Sequence, residues 1–164
     1  MPRTEIQQLP DASRVWVFGV SPSLDEKQSK HLLDRVDAFL ADWNAHGHPI
    51  RAGRELRDGS FFIVAVDKDA ETSGCSIDRM FGTLRQLERD LGVAILDANR
   101  IFVRHGDGRI EAITRAEFAE RGDRHTIVFD TTAERLADIR SGAWERHAED
   151  SWHGKLLGTG ALPR

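Results

Sequence analysis

Two stretches of the chain are apolar on both faces of an extended backbone. Val15 and Val17 alternate with Trp16, Phe18 and Val20, and Phe62, Val64 and Val66 alternate with Phe61, Ile63 and Ala65. Such strands need cover on both sides, so interior strands are predicted over residues 14–20 and 60–67. Between them Leu32, Val36, Phe39, Leu40 and Trp43 recur at helical spacing. They predict a helix to about Ala45, opened by a capping box of Ser23 and Glu26 and ended by Gly47 and Pro49. Residues 51–57 are polar and read as an edge strand, with Arg54 and Glu55 keeping that edge soluble. Asp58-Gly59 is a strong two-residue hairpin signal. Residues 1–13 read as a lead-in arm.

A second helix is predicted from Cys75 or Ser76, with Ile77, Met80, Phe81, Leu84, Leu87 and Leu91 as its buried stripe and Gly92 at its end. Gly82 inside it costs about 1 kcal/mol relative to Ala, which points to close backbone packing. Residues 101–104 and 109–114 form a hairpin around His105-Gly106-Asp107-Gly108, followed by a short helix over 115–120 and a short strand over 126–129. Thr131 and Glu134 suggest a capping box opening a helix through Arg140.

The order to residue 114 is β-α-β-β-α-β, that of a ferredoxin-like fold. Its first and third strands are central, and they are the two doubly apolar ones here. The predicted class is α+β, one domain over residues 1–164. It has a ferredoxin-like core over about 14–114 and an added C-terminal β-hairpin and helical extension over about 115–164. Phe129, Leu136, Ile139, Trp144 and Trp152 are the expected cover for the sheet face that the helices leave open.

Composition narrows the function classes. A chain of 164 residues can bury a sizeable core. A net charge of −4 gives no surplus for binding a phosphate backbone, so no nucleic-acid partner is expected. The apolar run from Phe61 to Val66 is far too short to span a membrane, and the N-terminus lacks the apolar core of a secretory signal. One cysteine makes no internal disulfide and fits a reducing compartment. The expectation is a soluble cytoplasmic monomer or weak homodimer with a small ligand or a protein partner of unknown identity.

Candidate chemistry centres on residues 72–78. Cys75 at a helix N-terminus would have its thiolate stabilised by unpaired amides. Ser73 and Ser76 add hydroxyls, and Asp78 opposes the effect. Read instead as packing, Cys75 is a small buried residue with the serines as caps. Ser73, Gly74, Ser76 and Asp78 are also the ligand-binding candidates, as an anion-binding helix start. A thiol-phosphatase Cys-x5-Arg loop is absent, since Phe81 stands where the arginine belongs, and there is no Cys-x-x-Cys pair. The seven histidines show no recognised ligand spacing, so no metal and no cofactor are expected.

His46 could act as base to Cys75. However, the two interior strands are expected to run parallel. Both strand-to-helix junctions then lie at one sheet end, with the loop after helix one at the other. Ser21-Pro22-Ser23 becomes the expected neighbour of Cys75. Asp150-Ser151-Trp152-His153 reads as a capped terminal helix with Trp152 docked on the sheet, not as a triad.

Several segments together resemble an uncharacterised family of small bacterial cytosolic proteins with a Ser-Gly-Cys-Ser-Ile-Asp motif. They are Arg14-Val15-Trp16, Trp43 with His46-Gly47 and Pro49, Ser73-Gly74-Cys75-Ser76-Ile77-Asp78, Leu87-Glu88 with Gly92-Val93, and Asp150-Ser151-Trp152-His153. The resemblance covers most of residues 8–158 and implies no catalytic residues. Family members often carry the label "ABC transporter ATPase". The chain has no Gly-x-x-x-x-Gly-Lys-Ser/Thr string and is shorter than such an ATPase domain, which excludes P-loop ATP hydrolysis. The expected function is a binding or interaction module with its surface near residues 72–78. The alternative is an enzyme with Cys75 as nucleophile.

Overall fold

The computed structural model describes residues 3–158. The first half runs β1 (Arg14–Gly19), α1 (Glu26–Asp42), a small hairpin of β2 (Asn44–Ala45) and β3 (His48–Pro49), β4 (Ala52–Arg57), β5 (Phe61–Val66) and α2 (Gly74–Leu91). The second half runs β6 (Arg100–Arg104), β7 (Ile110–Thr114), α3 (Arg115–Arg121), β8 (Ile127–Phe129), α4 (Leu136–Arg140) and β9 (Glu145–His147), then two 3-10 turns. Met1, Pro2 and residues 159–164, parts of the expected arm and extension, lie outside the described residues.

The class is α+β, with antiparallel sheets. In the first sheet the order is β1-β5-β4, with Val17 opposite Ile63 and Arg54 opposite Val64. The fourth strand expected for a ferredoxin-like sheet does not join it. β6 instead sits inside a second sheet, β7-β6-β8-β9, with both its edges taken. It meets β1 through a ring, not through its edge. A Cβ on Gly19 would lie 2.1 Å from the ring of Phe102, so only glycine lets that ring lie against β1. Among the described residues β1 is therefore an edge strand, bridged only at its ends. Ser21 exchanges backbone hydrogen bonds with Ala94, and Val15 and Leu136 donate to Glu134 and Ser13.

The β1–β5 pair is antiparallel, not parallel as expected, so the two strand-to-helix junctions lie at opposite sheet ends. Strands that alternate apolar residues satisfy both faces in either direction, so patterning leaves the direction open. Ser23 accordingly sits beside Ser60, with the hydroxyls 2.8 Å apart, and not beside Cys75.

Four layers result. On one face of the first sheet Phe18, Phe62, Val64 and Val66 pack under Leu32, Val36 and Phe39 of α1 and Met80, Leu84 and Leu87 of α2. On the other face Val15, Val17, Phe61 and Ile63 pack against Phe102, Phe129, Leu136, Ile139 and Trp144. Phe61 is the centre of this layer, its ring 4.6 Å from Phe129 and 4.9 Å from Trp144. The far side of the second sheet, with Ile101, Val103, Ile113 and Val128, is closed by Phe118, Ala148 and Leu157. Trp152 leans on that outer layer, not on the first sheet as expected.

Several local expectations change. Asp25, not Ser23, caps α1, in a reciprocal box with Gln28. α1 stops at Asp42, because the chain turns into the β2–β3 hairpin at His46 and Gly47, both at positive φ. Nothing lies within 4 Å of a Cβ placed on Gly82, so close packing does not account for that glycine. Thr131 and Glu134 open no helix. α4 begins at Leu136 without a side-chain cap, and Thr132 bonds Asp130. Arg54 makes a bidentate pair with Asp37 of α1 at 2.9 and 2.8 Å, tying the β4 edge to the helix layer. Among the described residues no helix is long and apolar enough to cross a membrane.

Candidate functional site

The start of α2 is a closed hydrogen-bond unit. Ser73 is the N-cap, and its Oγ accepts from the Ser76 amide at 3.1 Å. Ser76 Oγ accepts from the Ser73 amide and donates to the Ser73 carbonyl, both at 2.8 Å. Ser76 is buried, and its carbonyl accepts from the Trp43 indole at 2.8 Å. These serines thus cap the helix and dock α1, while Gly74, Cys75 and Asp78 are exposed. The end of α1 lies at the start of α2, the reverse of the expected placement. Even so, the Cys75 thiol makes no hydrogen bond among the described residues, to His46 or to any other group.

A cavity of about 800 Å³ opens elsewhere, where the free edge of β1 faces the segment between α2 and β6. Its floor is apolar, with Phe18, Phe81, Ile95 and Phe102. Phe81 stands edge-on to Phe18 at 5.7 Å. Three arginines from three elements reach it: Arg85 from α2, Arg100 from β6 and Arg115 from α3. Among the described residues the lining has one carboxylate, Asp97, which lies 3.4 Å from Arg100. Arg85 and Arg115 make no ion pair among the described residues, and the Arg115 guanidinium sits 5.7 Å over the Trp152 ring.

The far wall carries Trp152 and His153. Asp130 holds this wall, accepting from the Trp152 indole at 3.1 Å and from the Thr132 amide at 3.0 Å. Burial pushes the Asp130 carboxyl up, but the hydrogen bonds from Thr132 and Trp152 outweigh it and hold the group below its ordinary range. His153 is buried, stacks on Trp152 with ring centroids 3.9 Å apart, and shares a 2.7 Å hydrogen bond between Nδ1 and Ser151 Oγ. Loss of water pushes its pKa down to about 4, against the pull of Asp130 and aided by Arg115 and Arg146. The imidazole is therefore neutral near pH 7. Ser151 spends its hydroxyl on His153, and where a capped terminal helix was expected a 3-10 turn forms without a side-chain cap.

No family model, curated protein or solved structure matches the chain. The chemistry of the cleft must be read from its own residues. Two guanidinium groups that make no ion pair among the described residues line the cleft with aromatic and aliphatic side chains, and a neutral imidazole lies in the wall. Such a lining attracts an anion and buries an apolar body. Among the described residues no three metal-ligating side chains converge in the cleft.

Sequence reasoning missed Arg85, Arg100 and Arg115. Each is one arginine among many, and only the packing of α2, β6 and α3 brings them to one opening. The Asp150-Ser151-Trp152-His153 segment did signal this wall, through Trp152 and His153.

Proposed function

We propose that the protein is a binding module for a small anionic ligand with an aromatic or apolar body, held in the cleft above Phe18 and Phe102. The observation that carries the reading is the pair of arginines, Arg85 and Arg115, that line a largely apolar cavity and make no ion pair among the described residues. The carboxylate or phosphate of the ligand sits between the guanidinium groups, and its ring lies along Phe81 and Trp152. A net charge of −4 makes this local basic patch a feature of the cleft, not of the whole surface. The reading keeps the expectation of a cytoplasmic protein that acts on neither nucleic acid nor membrane. It moves the ligand surface from residues 72–78 to the cleft.

Thermal-shift titration tests it, with benzoate, indole-3-acetate and adenosine monophosphate against benzyl alcohol and adenosine as neutral analogues. The expected result is a concentration-dependent rise in Tm with at least one anion and none with its neutral analogue. The rise should weaken with salt and vanish in an Arg85→Ala, Arg115→Ala double variant. Absence of a shift with every anion, or a shift that survives in the double variant, overturns the proposal.

A further inference from the structure

At the β8–β9 edge of the second sheet, His125, His147 and Glu149 bring one ligand atom each to within 4.8 Å of one another. We infer that these three side chains form a binding site for a divalent transition metal such as Zn²⁺ or Co²⁺, independent of the cleft.

The backbone places them. β8 and β9 pair with Ile127 opposite His147. Ala148 then donates to the Thr126 carbonyl at 2.8 Å and Glu149 to the Arg124 carbonyl at 3.0 Å, which carries the contact on toward His125. His147 ends β9 and is the N-cap of the 3-10 turn Ala148–Asp150, so Glu149 follows within that first turn. The three side chains stand on hydrogen-bonded backbone, and all are exposed, so a metal enters without opening the fold.

The distances suit a small ion. His125 Nδ1 lies 3.8 Å from Glu149 Oε1, and the rings of His125 and His147 stand edge to face at 5.5 Å. Bonds of about 2.0–2.2 Å in a tetrahedral centre hold ligand atoms roughly 3.3–3.5 Å apart. Small side-chain rotations close the remaining gap. Two imidazoles and one carboxylate favour a borderline transition metal over Mg²⁺ or Ca²⁺, which take oxygen ligands. Three protein ligands leave the fourth position to water or an exogenous ligand. One group competes. Arg124 Nε donates to His125 Nε2 at 3.2 Å, so Nδ1 is the nitrogen that faces Glu149 and the metal. A metal on Nδ1 requires the ring proton on Nε2, so the Arg124 side chain swings away from that nitrogen as the metal binds.

The test is calorimetric titration of the full chain with Zn²⁺, and Co²⁺ absorption spectra. One equivalent should bind, with the visible bands of four-coordinate Co²⁺. His125→Ala, His147→Ala and Glu149→Ala should each weaken binding about tenfold or more and bleach those bands. A His46→Ala, His48→Ala control should leave both unchanged. The three positions are exposed, so metal-free Tm and far-UV dichroism should match those of the unsubstituted protein. Affinity that is unchanged in all three single variants, or that falls equally in the control, overturns the inference.

Discussion

The Trp43 indole donates to the Ser76 carbonyl at 2.8 Å, and both residues are buried. This bond joins the last turn of α1 to the first turn of α2. Trp43→Phe keeps most of the ring and loses the donor, and should cost about 1 kcal/mol. Trp43→Ala also leaves a cavity beside Phe39 and should cost about 3–5 kcal/mol. Urea denaturation measures both, and a Trp43→Phe protein as stable as the parent would show that the bond adds nothing.

Gly82 sits in the middle of α2 with open space where its Cβ would be. Gly82→Ala should therefore stabilise the protein by about 0.5–1 kcal/mol through helix propensity alone. A fall in Tm would mean that something does approach the helix there.

His153 gives the protein a pH response of known sign. Its folded pKa of about 4 lies below the ordinary 6.5, so the unfolded chain takes up its proton first. The contribution is complete above pH 6.5 and is lost as pH falls toward 4, on the order of 3 kcal/mol in all. Depressed carboxylates such as Asp37 and Asp67 add a further loss at lower pH. Stability measured across pH 7 to 4 should fall more steeply in the native sequence than in His153→Gln. Parallel curves would remove His153 from the account.

Cys75 is exposed in the folded protein. Iodoacetamide should label it under native conditions, with no need for unfolding. Asp78 lies beyond the first turn of α2, so Asp78→Asn should leave the labelling rate unchanged. Native protein that resists the reagent would contradict the exposure, and a faster rate in Asp78→Asn would contradict the placement.

The strands around Val15–Val17 and Phe61–Val66, the Asp58-Gly59 turn and the Gly92 stop were legible because each rests on a few neighbouring residues. Asp58, Gly59 and Gly92 all show the positive φ their types suggest. The direction of the β1–β5 pair was not legible, since alternation is blind to it. Nor was β9, because Glu-Arg-His carries no apolar signal and pairs only through β8. For the candidate sites the limit is the same. Ser73 and Ser76 announced a helix cap. Arg85 with Arg115, and His125 with Glu149, meet only after distant segments have packed.

The edge of β1 has a history as well as a geometry. Its two bridging partners, Ala94 and Arg135, stand about 75 and 120 positions further along the chain. At roughly 5–20 residues per second, a ribosome delivers the second of them on the order of ten seconds after β1. Through that interval the strand carries an open, apolar edge of the kind that recruits foreign strands. Residues 94 and 135 act as latches that arrive last, and truncation between them leaves a nascent chain half closed.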